Sequence, residues 1–337
     1  MGGYMLRIGV IGYGYWGPNI VRNFINTEGA TVAMVCDKNP TTFKKLAANH
    51  PCVKTTADCN DILLSPDIDA VAIVTPVFTH YELAKQALEN GKHIFIEKPF
   101  TDSVAHAEEL VNLAEKKNLV IMVDHTFLFT GAVRKIKQLI KEKALGKLYY
   151  YDSTRVNLGL FQHDINVIWD LAPHDFAILS HVIADQPVAV TACGRSHING
   201  HEDIAYISVF YSSNLIAHIN VNWLSPVKVR NTLIGGEKKM LVWNDIADDE
   251  KIKVYDKGID VTTTEGIYDL LVNYRSGDIW TPKLENLEAL KQETAYFLEC
   301  VTNSTKPHND GLAGLQVVRL LDACDQSLRQ NGKTVSL

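Results

Sequence analysis

Cysteine is scarce and unclustered. There are six in 337 residues (Cys36, Cys52, Cys59, Cys193, Cys300 and Cys324), with no C-x-x-C pair and no dense framework. That pattern excludes a disulfide-stapled scaffold and reads as free thiols in a reducing compartment. Positive charge is also short: 33 Lys and Arg stand against 39 Asp and Glu, for a net charge of −6. With no basic excess to neutralise phosphates, nucleic-acid binding and attachment to anionic membranes are excluded as partners. No apolar run approaches the roughly 18 residues of a membrane helix. The opening "MGGYMLRIGVIGYG" passes from a single Arg directly into a strand and a glycine loop, without the apolar stretch of a signal peptide. Together these absences predict a cytoplasmic protein.

What is present is an ordinary globular composition, 46% hydrophobic and 21% charged, in a chain long enough for two domains. Up to about residue 127 short apolar strands alternate with helical stretches. Strands are predicted over Leu6–Ile11, Thr31–Cys36, Ala70–Val74, His93–Ile96 and Val120–Val123. Helices are predicted near Asn19–Asn26, Thr41–His50, His80–Asn90 and Ser103–Lys117. Near-continuous Val/Ile strands separated by helices imply a parallel sheet covered on both faces. After a basic amphipathic helix ("AVRKIKQLIKEKALG") the texture changes to β-branched and aromatic runs such as "IAYISVFY" and "LIAHINVNW", with turn residues at hairpin distances. An open, mostly antiparallel sheet is the expectation there, closed by a helix-rich segment near Leu284–Gln330. The expected domains are 1–127, a dinucleotide-binding α/β unit, and 128–337, an α+β unit for substrate and oligomerisation.

The first strand runs into Gly12-Tyr13-Gly14-Tyr15-Trp16-Gly17 and then a helix, the context that G-x-G-x-x-G requires. The first glycine permits the turn, the second lets backbone approach a pyrophosphate, and the third lets helix and strand pack closely. The helix N-terminus offers amide donors to the anion. Twenty residues past Gly17, strand two ends at Asp37, whose carboxylate suits ribose hydroxyls and repels a 2′-phosphate. NAD is therefore expected, and NADP less so. Thr75 and Pro76 end the next core strand, and Thr79 and His80 open a helix on the same sheet edge, so all four are candidate cofactor contacts. Thr79 as a plain helix cap is the alternative.

"IFIEKPF" delivers Glu97, Lys98 and Pro99 to the carboxyl end of another strand. An ammonium there is either a side chain reaching outward to solvent or a group aimed at the nicotinamide. The second half supplies partners in "NVIWDLAPHDFAILSHVI", where Asp170 and His174 are four apart and face the same way on a helix. An acid and an imidazole on one cleft can take a proton from a hydroxyl. The alternatives are that Asp170 caps the helix, that His174 is a core histidine, or that the pair holds a metal. Pro173 fits if it lies in the helix's first turn. Arg155, Asn157 and His163 in "STRVNLGLFQHD" are candidate substrate contacts. His197 and His201 are expected in solvent. Tyr206, Phe210, Tyr211 and Trp223 are expected in sheet packing or a subunit interface, since an uncovered apolar sheet face calls for a homodimer or homotetramer.

Taken together, the glycine fingerprint, "EKP", D-x-x-x-H and the sheet that follows resemble the Gfo/Idh/MocA family (glucose–fructose oxidoreductase, inositol dehydrogenase, rhizopine catabolism) over nearly the whole chain. "IGYGYWGPN" and "WDLAPHD" look most like members acting at C3 of nucleotide-linked sugars. The resemblance implies Lys98, Asp170 and His174 as the catalytic set and an NAD(P)-dependent sugar dehydrogenase or ketoreductase. Its rivals are a glycosidase or lyase that oxidises C3 transiently and a non-catalytic NAD-binding regulator. One departure is Asp124-His125, where many relatives carry asparagine and arginine. In this scheme His174 is the base, Lys98 hydrogen-bonds the substrate oxygen and Asp170 orients a hydroxyl or the histidine. Which of Lys98 and His174 is the formal base stays open.

Overall fold

The computed structural model describes residues 5–159, 164–261 and 272–337. Two compact units emerge, Met1–Phe129 with Leu287–Arg319, and Thr130–Asn286 with Leu320–Leu337. The expected boundary near residue 127 therefore marks only the first crossing. Leu287–Arg319 returns to the first unit instead of staying with the second.

The first unit alternates β1 (Leu6–Ile11), α1 (Gly17–Ile25), β2 (Ala30–Cys36), α2 (Thr41–Asn49), β3 (Lys54–Thr56), α3 (Asn60–Leu63), β4 (Ala70–Ile73), α4 (His80–Glu89), β5 (His93–Glu97), α5 (Val104–Lys117) and β6 (Ile121–Asp124). Its six strands are all parallel, in the order β3-β2-β1-β4-β5-β6. The order reverses between β1 and β4, the switch point where open α/β sheets bind ligands. Ile8, Val10, Val71, Ile73, Ile94 and Ile96 are fully or almost fully buried, as expected of strands covered on both faces.

In the second unit come α6 (Gly131–Lys141), β7 (Leu148–Leu158), α7 (Val167–Val182), β8 (Pro187–Arg195), β9 (Ile204–Tyr211), β10 (Ile216–Asn222), β11 (Leu224–Gly236), β12 (Met240–Asn244), β13 (Ile252–Val261) and β14 (Val272–Trp280). Helices α8 (Ala289–Asn303) and α9 (Gly311–Arg329) follow, and β15 (Val335–Ser336) closes the chain. Nine strands form one sheet, β14-β13-β12-β11-β7-β10-β9-β8-β15, antiparallel except for the β10–β7 pair. Alternation is clean on β9 and β10: Ala205, Ile207, Val209, Ala217, Ile219 and Val221 are buried, while Tyr206 and Ile216 on the other face are 47% and 42% exposed. Helix α7 is buried along most of its length, in keeping with a sequence that is apolar apart from a narrow polar stripe.

The return of α8 to the first unit has a plain cause. Phe297 meets Phe95 of β5 and Phe24 of α1 edge-on, with centroids 5.7 and 6.0 Å apart, while Phe24 and Phe95 meet at 5.4 Å. Each ring is fully buried, so removing any one would open a large hole in that core. Thr27 and Thr294 add a buried hydroxyl pair at 2.9 Å, and Arg22 reaches Glu288 at 2.7 Å.

Candidate active site

In the first unit the glycine loop has the shape its spacing predicts. Gly12 has a φ of +101°, and a side chain there would lie 2.3 Å from the Val74 carbonyl oxygen, so turn and strand end meet at the switch point. A Cβ on Gly17 would lie 2.6 Å from the Gly12 carbonyl oxygen, which is the close packing expected of the third glycine. Gly14 differs: nothing lies within 4 Å of where its Cβ would be. No side chain caps α1 and no acidic residue stands in its first turn. Tyr15 is 87% exposed, and Trp16 donates its Nε1–H to Asp124 Oδ2 at 2.9 Å.

Asp37 follows β2 and braces the loop. Its carboxylate accepts from the amide of Tyr13 at 2.6 Å and from that of Asn39 at 2.7 Å. A carboxylate has about four acceptor sites, so both ribose hydroxyls can still be met. Loop, bare helix end and carboxylate fit a dinucleotide: the open side of Gly14 admits the pyrophosphate and α1 faces it with amides.

Beyond β4, the Thr79 hydroxyl donates to the Pro76 carbonyl at 2.7 Å and accepts from the Thr75 hydroxyl at 2.6 Å. His80 is a correction. Its ring is wholly buried, with one nitrogen 2.8 Å from the Thr75 carbonyl and the other 2.9 Å from that of Pro99. Burial pushes its pKa down. The ring is thus a strut tying the loop after β4 to the loop that carries Lys98, and it is not available to a bound cofactor.

Lys98 is half-buried just past β5, ahead of a cis Lys98-Pro99 bond. Behind it lies a group of acids that motif reading missed. Glu97 and Asp124 are partners across the β5–β6 ladder. Asp124 also accepts from Trp16 and from the Thr126 hydroxyl. Glu293 of α8 accepts from the His125 amide at 3.1 Å and from Asn309 Nδ2 at 2.9 Å. Burial first, and the Asp124 charge second, hold the carboxyls of Glu97 and Glu293 well above their usual range. Burial likewise takes His125 down to about 4. Two acids ending adjacent parallel strands were a legible sign. The arrival of Glu293 was not, being a tertiary contact across 169 positions from Asp124.

In the second unit α7 begins at Val167, not at Pro173. Asn166 is its cap, accepting from the amides of Ile168 and Trp169 at 3.1 Å each. Asp170 is therefore not the cap. Pro173 lies in the helix interior, where it removes one backbone donor. Asp325 of α9 anchors this end by accepting from Asn166 and from Trp169 Nε1. From Val167 to Leu179 every residue is buried except Asp170, Leu171 and His174. Acid and imidazole thus share the single half-exposed stripe of a buried helix. Trp223, fully buried, donates Nε1–H to Asp170 Oδ2 at 2.9 Å. It is sheet packing as expected, with one added function. Gly159 makes room, since a Cβ there would come within 2.3 Å of the indole.

Arg155 is the second correction. It is 3% exposed and its Nε donates to Asp175 Oδ2 at 2.6 Å, with Ser153 also on Asp175 at 2.6 Å. The guanidinium is part of an internal ion pair between β7 and α7, not a surface offered to substrate. Asn157 stays half-exposed near the end of β7, and His163 lies outside the described residues. His197 keeps an exposed ring, as expected, with its Nδ1 2.8 Å from the buried Asp203 carboxylate.

A doubly wound sheet with a glycine loop at its switch point and a carboxylate after β2 defines a dinucleotide-binding domain. Residues 6–125 match the oxidoreductase family with an NAD-binding Rossmann fold, GFO_IDH_MocA, and residues 133–242 match the GFO/IDH/MocA C-terminal domain. The chain is 26% identical over 317 residues to UDP-N-acetylglucosamine 3-dehydrogenase of Acidithiobacillus ferrooxidans, covering 93% of this chain and 94% of that one. It is 24% identical over 319 residues to scyllo-inositol 2-dehydrogenase (NAD(+)) of Bacillus subtilis, covering 90% and 88%. Its fold matches an oxidoreductase from Agrobacterium radiobacter solved with NAD+, L-tartaric acid and magnesium, with a TM-score of 0.83, 18% identity and 98% of each chain covered. The chain belongs to the Gfo/Idh/MocA family and is an NAD-binding oxidoreductase. Among the described residues, no helix is long and apolar enough to cross a membrane.

Proposed function

We propose that the chain is an NAD-dependent dehydrogenase or ketoreductase acting on a secondary alcohol or ketone of a sugar, with a nucleotide-linked sugar at C3 as its substrate class. The observation that carries this is the half-exposed Asp170–His174 stripe on an otherwise buried helix. Burying the rest of α7 fixes two titratable side chains in one orientation, an arrangement that packing alone does not call for. The likeness to a UDP-N-acetylglucosamine 3-dehydrogenase across nearly the full length supports the substrate class. Asp37 favours NAD over NADP because a carboxylate repels a 2′-phosphate.

When bound, the cofactor supplies hydride transfer. His174 takes the hydroxyl proton as the substrate's C–H bond breaks, and returns it in the reverse direction. Lys98 donates a hydrogen bond to the same substrate oxygen and offsets its growing negative charge. Asp170, fixed by Trp223, orients the sugar or the imidazole. Asn157 is a substrate contact at the rim. The exposed face bearing Tyr206 and Ile216 supports a homodimer or homotetramer through the second sheet. Six free thiols support a cytoplasmic location.

The test is a panel of UDP- and dTDP-sugars with NAD+ or NADP+, following absorbance of the reduced cofactor. Lys98→Ala should lose at least about two orders of magnitude in turnover, the scale of a lost oxyanion donor. His174→Ala should lose a similar factor while still binding NAD. Full turnover in either variant removes that residue from the mechanism. Product formed without accumulation of reduced cofactor would favour transient oxidation followed by elimination.

A further inference from the structure

Cys36 and Cys59 sit with their sulfurs 3.4 Å apart, a thiol–thiol hydrogen bond between the last residue of β2 and the residue before α3. Their surroundings are unequal. Cys36 is buried and Cys59 half-exposed. The hydrogen bond from the Cys36 thiol, aided by the nearby Lys38 charge, brings Cys59 down to about 7, while the same bond and burial push Cys36 up. One sulfur is therefore an accessible thiolate and the other a protonated thiol held beside it, the disposition of a nucleophile and its resolving partner.

The place matters as much as the chemistry. The Cys36 carbonyl accepts from the Gly12 amide at 2.8 Å. The next residue is Asp37, whose carboxylate accepts from the Tyr13 amide at 2.6 Å. Two consecutive residues thus hold the first two residues of the glycine loop. A disulfide has a sulfur separation of about 2.05 Å. Closing from 3.4 Å brings the two sulfurs together by more than an ångström, a movement shared between side-chain rotation and the main chains of β2 and the turn before α3. Any part taken by the Cys36 main chain displaces both loop contacts and the carboxylate offered to ribose.

We propose that Cys36 and Cys59 are a redox pair: an oxidant of the peroxide class joins them as a disulfide, and the closure weakens NAD binding at the adjoining Asp37. The Cys59 thiolate attacks a peroxide oxygen, the O–O bond breaks, and a proton from solvent releases water, leaving Cys59 as a sulfenic acid. The Cys36 sulfur then attacks the Cys59 sulfur, and the departing hydroxide takes the Cys36 proton as a second water. Two thiols are oxidised by two electrons and one peroxide is reduced. A thiol reductant reverses the step by exchange.

The test uses the whole chain, reduced, desalted and treated with hydrogen peroxide. Free thiols are then alkylated, digested peptides are read by mass spectrometry, and NAD+ is titrated calorimetrically. The wild type should lose two thiols, yield a peptide pair joined through Cys36 and Cys59, and bind NAD+ about tenfold more weakly, the scale of one lost charge-assisted hydrogen bond. Dithiothreitol should restore the affinity. Cys59→Ser should bind NAD+ as the reduced wild type does and ignore peroxide; Cys52→Ser should respond like the wild type. Persistence of both thiols, oxidation of Cys59 without a link to Cys36, or a link that leaves NAD+ affinity unchanged each overturns the proposal. Because binding and not turnover is read, an error in the proposed substrate leaves the outcome intact.

Discussion

Gly14→Ala separates folding from cofactor binding within a single turn. No atom lies within 4 Å of the position its methyl would take, and Gly14 is not among the positive-φ glycines. The folded protein can therefore accept the methyl with a stability change within about 0.5 kcal/mol, and the loss of unfolded-chain freedom works slightly in its favour. The dinucleotide cannot be so tolerant. A methyl in the space left for a pyrophosphate displaces it from the loop amides, and one charge-assisted hydrogen bond lost costs about 1.5 kcal/mol or more. That is about a tenfold or greater rise in Kd for NAD+. Gly17→Ala provides the contrast. Its methyl would meet a backbone oxygen at 2.6 Å, so thermal stability should fall before binding is even tested. Thermal melting and calorimetric titration on both variants decide the matter. An unchanged Kd for Gly14→Ala, with an unchanged melting temperature, would refute the placement of the pyrophosphate at this loop.

Most of the fold was legible because both sheets announce themselves by periodicity. Near-continuous Val/Ile runs gave β1, β2, β4, β5 and β6 within a residue or so of their ends. The short β3 and α3 were not anticipated, because three or four residues of mixed polarity carry no period. Helix α7 was placed about a turn too late. Pro173 suits a first turn, whereas the cap is Asn166, seven residues before it. Proline inside a helix is tolerated here because packing on all sides outweighs one missing donor. The return of α8 to the first unit was invisible, since nothing local in "AYFLEC" says that Phe297 will join Phe24 and Phe95.

At the site, motifs picked out candidate residues and said little about what each side chain does. The turn at Gly12, the close packing at Gly17 and the position of Asp37 could be read because they lie in the backbone or at a fixed distance along the chain. His80 and Arg155 looked like ligand contacts from their positions beside strand ends. Both turn inward, and each is held by partners remote in sequence: Pro99 for the one, Asp175 for the other. A polar residue at a strand end has two ways to face, and alternation alone did not settle which for Arg155, whose neighbour Val156 is buried too. Trp223 is expected in sheet packing or a subunit interface, and nothing local in the sequence announces its hydrogen bond to Asp170.

Three further perturbations bear on these assignments. Trp223→Phe keeps most of the packing but removes the donor to Asp170; turnover should fall about tenfold with KM little changed, and a loss of stability with turnover intact would mean that Asp170 needs no such orientation. Asp175→Ala strands the buried Arg155 guanidinium and should cost about 3–5 kcal/mol in urea unfolding, whereas Arg155→Met combined with Asp175→Leu should recover most of it. The third concerns pH. Glu97 and Glu293 have folded-state pKa values raised above the ordinary 4.5, so from about pH 4.5 upward the unfolded chain gives up protons that the native state keeps. Stability must then fall as pH rises toward the raised values, by about 1.4 kcal/mol per pH unit for each such group. His125 acts in the opposite sense: with its folded value near 4 against 6.5, the unfolded chain binds the extra proton, and stability rises with pH between those limits. The other titrating groups, His125 and Cys59 among them, are common to wild type and Glu293→Gln, so the difference between their curves isolates the carboxyl: in chemical denaturation from about pH 4.5 upward the wild type should lose stability with rising pH more steeply than the variant. Parallel curves would mean that Glu293 is ionised in the native state and that the acids behind Lys98 hold more charge than their burial allows.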